Sequence, residues 1–200
     1  MANIATNTYL FYGDKDELKK AHAEIMDLFK TCRSNLSCVP VDAHPSELNG
    51  EWIDDVSVLT DTDTKFEMVT NSRWYGNPLY WNNWVKEKYS KLSVAFSCEE
   101  PGLEIFERVD PDHMFDESVV LCNMAIDEEE IPSLPSCIKE CINKDTFNND
   151  YYVSGVFLKE ELASAGFDYT KLSEMWYYRE FIYTTYEDIE NANIQLNMQI

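Results

Sequence analysis

The sequence predicts an α/β (α+β) protein whose first half is a βαββαβ sheet with one added strand. Three observations carry that expectation. Short β-prone runs alternate with helical stripes as far as Val109, two of the runs are joined by a short polar turn, and both helices carry local start signals. Thr8–Tyr12 is aromatic and β-prone and ends at Gly13, which predicts the first strand. Asp14 is placed to cap a helix, with Glu17 three residues on completing a capping box. Leu18, Ala21, Ile25, Leu28, Phe29 and Cys32 then recur at steps of three and four, so one face of that helix is apolar. Ser34–Gly50 holds Pro40, Pro45 and Asn49 and reads as a long loop, with room for a short strand around Val39–Val41.

Trp52–Leu59 and Lys65–Asn71 are β-like, and Thr60-Asp61-Thr62-Asp63-Thr64 between them predicts a hairpin. Asn77-Pro78 opens the second helix, a capping residue followed by proline at the first helical position. Trp81, Trp84, Val85 and Tyr89 give that helix an aromatic face. Leu92–Cys98 alternates as a strand, Glu99-Glu100-Pro101-Gly102 turns, and Leu103–Val109 is the added strand. The order is ferredoxin-like.

Several of these residues also carry a resemblance. Lys65-Phe66, Arg73-Trp74-Tyr75-Gly76-Asn77-Pro78, Trp84, Lys91-Leu92-Ser93-Val94 and Glu99-Glu100-Pro101-Gly102 resemble a phage- and mobile-element-borne family of ferredoxin-like domains without an established activity. The resemblance spans about residues 5–110 and departs from the family pattern at the N-terminal opening. It implies a ferredoxin-like fold there and brings no catalytic residues.

The second half is more acidic. Residues 1–100 hold 10 basic and 16 acidic side chains, residues 101–200 hold 6 and 21. Val119–Ile126 reads as a buried strand, followed by the run Asp127-Glu128-Glu129-Glu130 and a short helix around Ser136–Asn143. Tyr151–Leu158 is strand-like, Lys159–Ala165 helical up to Gly166, and Phe181–Thr185 the best strand in an aromatic stretch. Asn191–Ile200 is polar and expected to fray. The expected division is a ferredoxin-like α/β domain over 1–110 and an acidic α/β elaboration, or second small domain, over 111–200.

Charge narrows the function. With 16 basic against 37 acidic residues the formal net charge is −21, so direct binding to nucleic acid or anionic lipid is not expected. A hydrophobic fraction of 44% and an aromatic fraction of 14% argue for a folded chain. No apolar run reaches the roughly 18 residues that span a bilayer, and no signal peptide opens the sequence, so the expected home is the host bacterial cytosol. There the six cysteines (Cys32, Cys38, Cys98, Cys122, Cys137, Cys141) stay reduced. Cys137 and Cys141 share a helical face but lack the second pair a zinc site needs, and His22, His44 and His113 belong to no motif.

No phosphate-binding glycine loop, nucleophile elbow or kinase signature is present. Carboxylate pairs such as Asp54/Asp55, Asp61/Asp63 and Glu99/Glu100 are expected by chance among 37 acidic residues. No cofactor, metal or catalytic residue is therefore expected. The reading is an acidic, non-enzymatic protein-binding protein that occupies the basic nucleic-acid channel of a host nuclease or CRISPR–Cas effector, as anti-restriction and anti-CRISPR inhibitors do. The candidate contacts are Asp110, Asp112, Asp116, Glu117, Asp127, Glu128, Glu129 and Glu130, with Trp74, Tyr75, Tyr177 and Tyr178 as aromatic anchors. The alternative is an accessory or scaffold protein forming homo-oligomers through a sheet edge, and a small carboxylate enzyme comes last.

Overall fold

The computed structural model describes residues 4–32, 51–73, 75–101, 105–144, 150–168 and 178–197. In chain order the elements are β1 (Ile4–Gly13), α1 (Lys15–Cys32), β2 (Trp52–Val56), β3 (Lys65–Arg73), α2 (Pro78–Lys88), β4 (Leu92–Glu100), β5 (Ile105–Val109), β6 (Ser118–Ile126), α3 (Ser136–Glu140), β7 (Ile142–Lys144), β8 (Tyr151–Leu158), α4 (Lys159–Ser164), β9 (Tyr178–Arg179), β10 (Ile182–Tyr183) and α5 (Tyr186–Asn197). The chain is mixed α/β with sheet-dominated cores. It divides into two units, one running to Met114 and resuming at Ile182, the other covering Phe115–Phe181. The expected boundary near residue 110 lies close to this one, but the C-terminal segment returns to the first unit.

The first unit holds a six-stranded sheet in the order β10-β5-β4-β1-β3-β2, antiparallel throughout except for the parallel β10/β5 pair. The connection through α1 steps across β3 to reach β2, and the one through α2 steps across β1 to reach β4. Period-two alternation sends Tyr9 and Phe11 of β1, Phe66 and Met68 of β3 and Phe96 of β4 into one core. Leu18, Ala21, Ile25 and Phe29 of α1 bury the predicted stripe there, joined by Trp81, Trp84 and Val85 of α2. Burying each large apolar side chain contributes about 1.5–3 kcal/mol. Phe11 sits at the centre, stacked on Phe66 at 4.9 Å and meeting Trp81 and Trp84 edge-on at 6.2 Å. Towards one end the inward face turns polar, with Asn7, Thr70 and Ser72 fully buried.

Local signals act much as expected at α1. Gly13 takes φ +136, and a Cβ there would collide with the Lys91 carbonyl. Asp14 caps the helix, its Oδ1 accepting from the backbone N–H groups of Asp16 (3.1 Å) and Glu17 (3.2 Å). The capping box is only half made, because Glu17 accepts instead from the Lys91 N–H at 2.9 Å and ties the helix to the start of β4. Asn77 precedes Pro78 as predicted, yet its side chain makes no capping bond. The chain end departs from expectation, since α5 covers residues 191–197 of the segment expected to fray. Its start is a Thr185/Asp188 box, with the Thr185 hydroxyl donating to Asp188 at 2.7 Å and the Asp188 N–H returning at 3.1 Å. Tyr186 and Ile189 pack on the first core, and the Tyr186 hydroxyl donates to the Val94 carbonyl at 2.8 Å.

The second unit holds a four-stranded sheet in the order β7-β8-β6-β9, with all pairs antiparallel. A register shift between Leu121 and Met124 changes the parity of β6, so Val119 and Leu121 before it and Met124 and Ile126 after it reach the same core. Ile138 of α3, Val153 and Phe157 of β8 and Leu162 of α4 complete that core. The helix expected to reach Asn143 stops at Glu140, because Ile142–Lys144 pairs with Tyr151–Val153 and a five-residue helix has little stability of its own. The strand expected over Phe181–Thr185 shortens to the two residues of β10, paired with β5, while β9, just before it in sequence, pairs with β6.

Candidate functional site

The eight candidate carboxylates do not form one set. Asp110 and Asp112 belong to the first unit, the other six to the second. Asp110 is 5% exposed, and its Oδ1 accepts from the Met114 N–H at 2.7 Å. This corrects its assignment as a surface contact, because a carboxylate folded over its own turn is not free to meet a partner. Asp112 is exposed and accepts from the Tyr12 hydroxyl at 2.7 Å. Burial first and the Asp112 carboxylate second push that hydroxyl's pKa up.

In the second unit the carboxylates stand at the two ends of β6. Asp116 and Glu117 precede the nine-residue strand and Asp127–Glu130 follow it, so at about 3.3 Å per residue the two groups are roughly 30 Å apart. A duplex of that length carries on the order of 18 phosphate charges, so the six carboxylates make two poles and not a continuous phosphate-like track. At the first pole Lys159 lies 3.5 Å from Glu117 and 3.6 Å from Glu180, which offsets part of the charge. At the second pole Asp127, Glu128, Glu129 and Glu130 are all exposed, in a turn closed by the Glu130 N–H on the Asp127 carbonyl at 2.9 Å. Among the described residues no lysine or arginine pairs with these four.

Trp74 and Tyr177 lie outside the described residues. Tyr75 is half-buried, packed on the first core with its ring 5.5 Å from Phe96. Tyr178 is half-buried against the second core, and its hydroxyl donates to Glu180 at 2.7 Å. Both rings are thus largely committed to packing.

A different centre emerges from residues that sequence reasoning did not single out. Glu51, 4% exposed, places its carboxylate among the polar residues at the end of the β1/β3 face. Oε1 accepts from the Tyr9 hydroxyl at 2.8 Å and from the Thr70 hydroxyl. Oε2 accepts from the Asn77 side-chain amide at 3.0 Å and the Asn77 backbone N–H at 3.2 Å. That N–H is shared with the Tyr9 hydroxyl oxygen at 2.9 Å. Asn7 donates in turn to Thr70 (3.3 Å) and Ser72 (2.9 Å). Gly76 keeps the cluster tight, since a Cβ there would lie 2.7 Å from Asn7 Oδ1 and from the Tyr9 hydroxyl. Among the described residues no cation pairs with Glu51. Its pKa is raised, desolvation outweighing the hydrogen bonds from Thr70, Asn77 and Tyr9 that oppose the shift. Burial, then Glu51, holds the Tyr9 hydroxyl protonated well above its usual range.

A carboxylate on a tyrosine hydroxyl is a pairing used in proton transfer, but here each carboxylate oxygen already holds two donors from the chain. The arrangement organises β1, β3 and the start of α2 around one buried anion. The sequence did hold a signal: Asn7, Thr70 and Ser72 break the apolar alternation of Tyr9, Phe11, Phe66 and Met68 on the same face. Elsewhere, among the described residues, no three His, Cys, Asp or Glu side chains converge as a metal site, and no helix is long and apolar enough to cross a membrane. No protein-family model matches the chain, and no curated protein or solved structure matches it either.

Proposed function

We propose that this protein acts by binding a basic surface of another protein, with the Asp127–Glu130 turn as its main contact. The observation that carries the reading is four consecutive exposed carboxylates without a cationic partner among the described residues, on a chain of net charge −21. Long-range attraction from such a chain speeds encounter with a basic partner, and the turn fits a compact arginine or lysine cluster better than a whole duplex track. The concrete form is a non-catalytic inhibitor of a host nucleic-acid-handling defence complex, of phage or mobile-element type, seated in that complex's nucleic-acid channel. For the first unit we read a ferredoxin-like core with two strands added. The strand order β4-β1-β3-β2, with its two helical crossovers, supports that reading.

The test is capture from a bacterial lysate by the tagged protein, washed at low and high salt, beside a variant carrying Asp127→Lys, Glu128→Lys, Glu129→Lys and Glu130→Lys. The expected result is a basic nucleic-acid-handling protein retained at low salt, lost at high salt, and bound at least about tenfold more weakly by the variant. Equal retention by the folded variant sinks the assignment. One observation favours self-association as a second reading: Ile182 and Tyr183 on the edge strand β10 are 64% and 55% exposed. A concentration-dependent mass by light scattering, abolished by Ile182→Lys, would select it.

A further inference from the structure

We infer that Tyr9, Thr70 and Asn77 form a carboxylate-binding site, which the chain's own Glu51 fills. The four donors come from β1, β3 and the residue before α2, and they stand 19 to 42 residues away from Glu51 in sequence. The sheet and the helix therefore build the cradle, and a separate segment supplies the anion. The donor sense of the hydroxyls is set from outside the carboxylate. Thr70 accepts from Asn7 and Tyr9 accepts from the Asn77 N–H, which leaves each hydroxyl proton for the carboxylate. The N-terminus of the eleven-residue α2 adds its positive end.

The orientation of Asn7 points the same way. Asn7 is fully buried and directs both its amide hydrogens into the network, to Thr70 and Ser72, while its Oδ1 has no hydrogen-bond donor among the described residues. With the amide hydrogens on this side, the Thr70 hydroxyl accepts from Asn7 and its own proton is turned to the carboxylate. Two donors on each of two oxygens match a planar carboxylate.

Chemical complementation tests the inference. Glu51→Ala deletes the atoms of one acetate, and Glu51→Gly deletes those of one propionate. Thermal unfolding of wild type and both variants is followed at neutral pH and equal ionic strength in sodium acetate, propionate or chloride. The expected result is a saturable rise of roughly 3 °C or more for the alanine variant in acetate over chloride, with the glycine variant preferring propionate. Wild type, its cradle filled, gains nothing beyond chloride. Adding Thr70→Val to Glu51→Ala weakens the acetate response. The inference is overturned if both truncated variants respond to the carboxylates as wild type does, or if chloride restores them equally. A truncated variant unfolded in chloride is refolded in acetate, and failure to recover native tryptophan fluorescence there overturns it as well.

Discussion

Replacing Glu51 separates its charge from its hydrogen bonds. In Glu51→Ala the Tyr9 hydroxyl, the Thr70 hydroxyl and the Asn77 side-chain amide each lose the acceptor they hold now, while the Asn77 N–H keeps the Tyr9 oxygen. Buried donors left without a partner cost about 1–3 kcal/mol each. Removing the desolvated charge returns part of that, so the net loss is roughly 3–5 kcal/mol. Glu51→Gln is different. Its carbonyl oxygen replaces Oε2 and keeps both Asn77 donors, while its amide faces two hydroxyls that already accept from Asn7 and Asn77, so their protons lose the acceptor Oε1 supplied. The expected loss is about 1–3 kcal/mol at neutral pH, smaller than in the alanine variant, the cost of the two stranded protons being offset in part by removal of the desolvated charge.

The pH dependence gives a second readout. Because the folded pKa of Glu51 lies above its unfolded value, the folded state binds the proton more tightly, and stability falls as pH rises from the unfolded pKa through the folded one. The acidic chain as a whole also loses stability as its self-repulsion grows, so the difference between wild type and Glu51→Gln isolates this residue. Urea unfolding by tryptophan fluorescence, with Trp81 and Trp84 in the first core as reporters, is measured from pH 4 to 8. Wild type should lose stability relative to the glutamine variant as pH rises above the ordinary carboxylate range and through the folded pKa. Parallel pH profiles, or a glutamine variant as unstable as the alanine one, would refute the reasoning.

Other outcomes follow from single contacts. Gly76→Ala pushes a methyl to 2.7 Å from Asn7 Oδ1 and the Tyr9 hydroxyl, and should lower stability by roughly 1–3 kcal/mol in the same urea assay. The Cys98 thiol is fully buried and its pKa is pushed up to about 12 by desolvation, so at pH 8 it should resist a thiol reagent until the protein unfolds. Among the described cysteines, the partly exposed Cys122, Cys137 and Cys141 should be labelled before Cys98, as peptide mapping would show.

Much of the fold was legible because its signals are local. The alternation of Thr8–Tyr12, the stripe from Leu18 to Phe29, Asp14 as a cap and Pro78 as a helix start each depend on a few neighbouring residues. Where the expectation failed, a distant partner decided. Asn77 has the look of a cap, but its side chain is taken by Glu51, and Glu17 is taken by Lys91. At α5 the tail's polar composition misleads, because the Thr185/Asp188 box starts the helix and Tyr186 and Ile189 pack on the first core. Ile142 joined a strand because β8 offered an edge.

The candidate site divides along the same line. By itself the sequence determined the acidity, the alternation that separates buried from solvated faces, and the exposed run Asp127–Glu130, because adjacent charged residues in a turn keep their hydration wherever the turn lies. Only the tertiary structure decided that Asp110 is buried, that Asp116/Glu117 and Asp127–Glu130 stand at opposite ends of β6, and that Glu51 is an interior anion. The state of a carboxylate depends on the donors and solvent around it, and for Glu51 those donors arrive from residues 19 to 42 positions away.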